Sequence, residues 1–154
     1  MKKTIFSFFV LLGATILSLP VNGFASPEKE KAFTDAYKKA YEAKDEEALK
    51  SLLYTKGSDP EIVEFYTMMI SGDMESKLTS IELRDLTPEE IARASEAQPS
   101  FSGEEVALLV KPTKKLVLKT QTSGAGGTST GTNETFVAEV DGKYVIPVPG
   151  PVKK

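Results

Sequence analysis

The sequence predicts an α+β domain: N-terminal helices packed on a curved antiparallel sheet of about four strands. Three observations predict it. Between Pro27 and Gly72, apolar residues recur every three to four positions, the repeat of one buried helical face. From Leu78 onward they recur mostly at alternate positions, the repeat of a half-buried strand. The helical half also precedes the strand half instead of alternating with it, which is the order of an α+β chain.

Residues 1–25 stand outside that domain. Two lysines lead an apolar run from Ile5 to Leu19, followed by Pro20 and by Gly23 and Ala25 before Ser26. This is the layout of a secretory signal cut before Ser26. A run of about fifteen residues falls short of the roughly 20 that a membrane-spanning helix needs. The expectation is a free periplasmic or secreted protein, one domain over 26–154, with no membrane association after cleavage.

The first helix is expected in PEKEKAFTDAYKKAYE, with Phe33, Ala36, Tyr37, Ala40 and Tyr41 on one face. Asp45 reads as the cap of a second helix, whose buried stripe is Ala48, Leu49, Leu52 and Leu53 and which ends at Gly57. A carboxylate at that position accepts from the free N–H groups of the first turn. Asp59-Pro60-Glu61 opens a third helix by the same chemistry, with proline at the first helical position. Ile62, Val63, Tyr66, Met69 and Ile70 form its face, Met68 and Met69 fill gaps in the core, and Gly72 supplies a left-handed stop. Thr87-Pro88-Glu89-Glu90 is a capping box for a short fourth helix.

The expected strands are 78–86, EEVALLV in mid-sheet, KKLVLKTQT with Leu116 and Leu118 on one face, ETFVAEV, and KYVIPV. For the last hairpin, a three-residue turn ending on Gly142 pairs Glu139 with Lys143 and Phe136 with Ile146. That register joins the larger apolar rows, so it is the one expected. Residues 122–134, rich in glycine and threonine, read as a long flexible hairpin loop. No phosphate-binding fingerprint fits there: a lysine is lacking, and the stretch runs from strand to strand, not into a helix. Asn133-Glu134-Thr135 matches the short glycosylation pattern. Prolines 147, 149 and 151 make 149–154 a proline-rich tail, expected to fray.

Composition narrows the chemistry. The 154 residues contain no histidine and no cysteine, so the commonest general base and the usual zinc, copper and haem ligands are missing. No cofactor and no metal are expected. Acidic residues outnumber basic ones by 22 to 19, and removal of Lys2 and Lys3 widens the gap. No basic cluster marks a nucleic-acid partner.

AFTDAYKKAYEAKDEEALKSLLY is similar to the opening helix pair of the nuclear-transport-factor-2-like, or SnoaL-like, superfamily, with Ala43-Lys44-Asp45 and Ala48-Leu49 carrying the likeness. GEEVALLV resembles that family's central strand and EVDGKYVI its last, where Tyr144 stands in place of the common tryptophan. The insertion 87–102 and the glycine-rich stretch depart from a minimal member. The resemblance implies a cone with an open mouth, and enzymes of the family, such as ketosteroid isomerases and dehydratases, place Asp, His and Tyr inside it. The histidine has no counterpart here.

Polar groups that could line such a cone are Tyr37, Tyr41 and Tyr66, each on an apolar helical face, together with Asp73 after the third helix. The expected function is a non-catalytic, exported module that binds a small apolar ligand or a protein partner of the cell envelope. The alternative is an isomerase, dehydratase or cyclase using an Asp/Tyr pair. Oligomerisation through an exposed sheet face is a further expectation.

Overall fold

The computed structural model describes residues 26–152, so the expected signal segment, along with Lys153 and Lys154, lies outside the described residues. Its elements are, in order, α1 (Pro27–Glu42), α2 (Glu46–Lys50), β1 (Leu53–Tyr54), α3 (Pro60–Ser71), β2 (Lys77–Asp85), α4 (Pro88–Ala94), β3 (Gln98–Pro99), β4 (Glu105–Leu108), β5 (Lys114–Gly124), β6 (Gly127–Val140), β7 (Lys143–Pro147) and β8 (Pro149–Pro151). The fold is α+β.

The helix starts follow their side chains. Asp45 accepts from the Ala48 amide, Asp59 from the Glu61 amide, and Thr87 and Glu90 close a reciprocal capping box. Two ends differ from expectation. The second helix stops at Lys50, and Leu53 belongs to β1, which runs parallel to β7. Pairing with β7 gives Leu53 and Tyr54 main-chain partners that a longer helix would forfeit. Gly72 is right-handed, at φ −63°. The chain leaves α3 through further right-handed turns, in which the Met74 amide bonds Ser71 and the Ser76 amide bonds Asp73.

Four antiparallel strands, β2, β5, β6 and β7, carry the main sheet, and β1 adds a short parallel edge in the order β1-β7-β6-β5-β2. Helix α1 contacts both β2 and β7, which lie on opposite sides of the sheet, so the sheet curves round it. Phe33, Tyr37, Leu49, Leu116, Val137 and Ile146 fill the space between. The interior of the expected cone is thus packed with side chains. Leu116, Val117 and Leu118 are buried consecutively. Because neighbours along a strand face opposite ways, Val117 is shielded on the face away from α1, where alternation had left a solvent side.

β4 is not in the main sheet. It sits at the centre of a separate small sheet, β3-β4-β8. The expected proline tail supplies β8: Gly150 pairs with Ala107, flanked by Pro149 and Pro151. Proline is tolerated on an edge strand where no donor is demanded, and the Val148 and Val152 amides on either side bond Tyr54 and Glu105.

Both hairpins correct the sequence expectation. Val140, not Glu139, stands opposite Lys143, and Ala138 stands opposite Val145. Asp141 and Gly142 both have positive φ, 49° and 77°, the two-residue turn whose twist matches that of its strands. Glu139 pairs with Lys29 of α1 at 2.5 Å. Local twist and this tertiary ion pair outweigh the cross-strand pair expected from sequence. The stretch 122–134, expected to be a flexible loop, is strand almost throughout. β5 and β6 pair continuously to Gly124–Gly127 around a two-residue turn, Ala125-Gly126. Threonines at alternate positions, with their β-branched preference for extended backbone, outweigh the glycines.

Candidate functional site

Tyr37 and Tyr41 lie one turn apart on α1, and their rings stack with centroids 6.4 Å apart. The last carbonyls of a helix have no partner within it, and these phenols reach them. The Tyr37 hydroxyl donates to the Ile70 carbonyl at 3.3 Å, and the Tyr41 hydroxyl donates to the Asp73 carbonyl just beyond α3. The Asp73 carboxylate accepts from the Ser76 hydroxyl at 2.7 Å, and that hydroxyl contacts Thr122 at 2.6 Å. Three of the four expected site residues, Tyr37, Tyr41 and Asp73, therefore line one cavity of about 100 Å³ together with Leu118 and Asn133. The fourth, Tyr66, lies elsewhere.

Burial pushes the Tyr37 phenol well above its usual range, helped by Tyr41 and Asp73. Burial and the Asp73 carboxylate push Tyr41 up to about 12. Both stay protonated and serve as donors. Their preference for the neutral form stabilises the fold fully below pH 10, the ordinary phenol value. Above it the unfolded chain loses its protons first, so stability falls as the pH rises towards the folded value. Urea unfolding across that range should show this loss, and Tyr41→Phe should lessen it while Tyr37 keeps its share. A midpoint independent of pH from 9.5 to about 12 would contradict the assignment.

Tyr66 belongs to a larger groove between α3 and the small sheet. Ile62, Phe65 and Tyr66 form one wall, and Phe101, Val106 and Phe136 stand across from them around a cavity of about 300 Å³. Phe65 and Phe101 meet edge to face at 4.8 Å, and Phe101 is 74% exposed. Met68 and Met69, expected in the core, are exposed, because the buried side of α3 is filled by Ile62, Thr67 and Ile70; Met69 lies at the rim of the cavity beside Tyr37 and Tyr41.

Tyr66, Arg93, Gln98 and Phe136 continue the groove into an adjoining cavity of about 260 Å³. There the Lys115 ammonium bonds Glu90 at 2.6 Å and Glu134 at 3.1 Å. The hydrogen bond from Lys115, with a second from the Thr87 amide, holds the Glu90 carboxyl below its usual range. Among the described residues no group of three acidic side chains is placed to hold a metal ion.

Sequence reasoning missed the groove residues Phe65, Phe101, Val106 and Phe136. Two signals were present: Phe65 sits off the buried stripe of its helix, and Phe101 is a large apolar residue amid serines and a glycine. In comparisons with known proteins, no family model matches the chain, and neither a curated protein nor a solved structure does.

Proposed function

We propose that this protein is an exported, non-catalytic module that binds a small apolar ligand in the groove between α3 and the small sheet. The observation that carries the reading is the Phe65–Phe101 lip over an apolar groove of about 300 Å³. That volume lies within the range of ligand sites. Phe101 and Phe65 set two exposed aromatic rings side by side at the mouth of the groove, apolar surface that a bound ligand would cover. Export rests on the signal-like residues 1–25, and a mature chain beginning at Ser26, read by mass spectrometry on protein from its host, tests that part. The likeness to nuclear-transport-factor-2-like proteins belongs to the same proposal. It is supported by a helix pair against a curved sheet, but the groove lies beside the packed interior, not within it.

The test is titration with a hydrophobic fluorescent probe. Saturable binding is expected, with Phe65→Ala and Phe101→Ala each weakening it about tenfold, the equivalent of about 1.4 kcal/mol. Tyr41→Phe, which is outside the lining of the groove, should leave it unchanged. Equal weakening by all three, or no saturable binding, defeats the reading.

The Asp/Tyr enzyme alternative has one observation in its favour, the meeting of Tyr41 and Asp73 at one cavity. It is the weaker reading. The cavity is smaller than most ligand sites, and both groups already serve the turn after α3.

A further inference from the structure

The β5–β6 hairpin runs past the rest of the sheet. The last pair that β2 makes with β5 is Lys77–Gln121, so residues 122–129 continue as a two-stranded ribbon with every residue exposed. An isolated ribbon of this kind is marginal in water, and this one has neither an apolar face nor a helix to support it. It also has a free edge. β7 pairs with β6 only from Ala138 to Val140, and residues 127–134 of β6 are exposed.

The register shows which groups that edge presents. Counting from the two-residue turn, Gly124 and Gly127 exchange main-chain bonds, and such exchange recurs at every second residue. Thr128, Thr130 and Thr132 therefore turn their N–H and C=O groups away from β5, and no other main-chain group among the described residues bonds them.

Exposed edges are normally guarded by charge, proline or a bulge. The opposite edge of this sheet, β2, has such guards: a register irregularity between Leu78 and Ser80, and the charged residues Lys77, Glu82 and Arg84. The β6 edge from Thr128 to Asn133 has none. No charged residue, no proline and no bulge occurs from Thr120 to Asn133.

We infer that the β6 edge at Thr128–Thr132 pairs antiparallel with the same edge of a second copy of this chain. About a two-fold axis at Thr130, Thr130 stands opposite its counterpart and Thr128 opposite Thr132, each pair exchanging two main-chain hydrogen bonds. No like charges meet across this register, and the outward groups of both chains are satisfied at once. The ribbon then becomes the middle of a continuous sheet, which supplies the support it lacks alone. The contact is short, below the size of most stable interfaces, so association depends on concentration.

Sedimentation equilibrium up to millimolar protein tests this, with two variants. Thr130→Pro removes an outward donor without removing a β5–β6 ladder bond and is expected to weaken the dimer at least tenfold while circular dichroism is unchanged. Thr130→Cys introduces the only thiol in a cysteine-free chain. Its Cα lies about 5.5 Å from its counterpart in the paired edge, within reach of a disulfide, so mild oxidation should yield a covalent dimer. Ser129→Cys, paired out of step with its own counterpart, should remain reduced. A monomer at every concentration overturns the inference and leaves the edge to a strand from another protein. A dimer that survives Thr130→Pro while Cys-substituted position 130 stays unlinked also overturns it, placing the interface elsewhere. If the proline variant fails to fold, the cysteine pair decides alone.

Discussion

Leu116→Ala is expected to lower the unfolding free energy by about 2–5 kcal/mol, in the upper half of that range. Leu116 is wholly buried in β5, paired with Leu83 of β2 on one side and Thr135 of β6 on the other. Strands held on both sides by ladder hydrogen bonds cannot close in on the space left by a missing isobutyl group, and the cost of a core truncation grows with the cavity that remains. Whole domains are stable by only about 5–15 kcal/mol, and this chain has no disulfide to limit the unfolded state. Urea denaturation measures the effect as a lower midpoint at unchanged slope. A loss below about 1 kcal/mol would mean that the interior is an open cone able to relax, not the packed core described above.

Gly150→Ala is expected to cost about 1–3 kcal/mol and to abolish probe binding in the groove. Gly150 lies where β8 passes closest to the loop after β1. A methyl group there would stand 2.6 Å from the Gly57 carbonyl oxygen and 2.6 Å from Leu109 Cδ1. The side chain could turn aside, but the carbonyl belongs to a backbone tied down nearby, since the Ser58 hydroxyl bonds the Val148 carbonyl at 2.9 Å. β8 must therefore shift, and with it β4, whose Val106, Ala107 and Leu108 line the groove beside Pro149. The control is Gly126→Ala in the β5–β6 turn. An added methyl meets nothing within 4 Å there, and the substitution should be neutral for both stability and binding. If Gly150→Ala binds the probe as tightly as the parent, the small sheet does not form the groove wall.

Much of the helical half was legible in the residues. Asp45, Asp59 and the Thr87/Glu90 box cap the helices as their types and spacing imply, because a cap is a bond between residues two or three apart. The α1 stripe of Phe33, Tyr37, Ala40 and Tyr41 faces the core for a similar reason, since a helical face is set by local periodicity. Of the candidate site, the placing of Tyr37 and Tyr41 on one buried face of α1 could be anticipated from helical spacing. The meeting of Asp73 with them, and their occupation with the end of α3, could not.

By itself, then, the sequence determined the α+β order, the helix caps, the burial of α1 and the absence of histidine and cysteine chemistry. All of these follow from composition or from neighbours within about one helical turn. Only the tertiary structure decided the rest. β4 left the main sheet because β8, more than forty residues on, was there to pair with it. Glu139 turned to Lys29 across more than a hundred residues. Phe65 and Phe101, unremarkable apart, became the lip of a groove only when α3 met the β3–β4 hairpin. These are contacts between distant segments, chosen by which surfaces can be buried together, and local pattern carries no record of that choice.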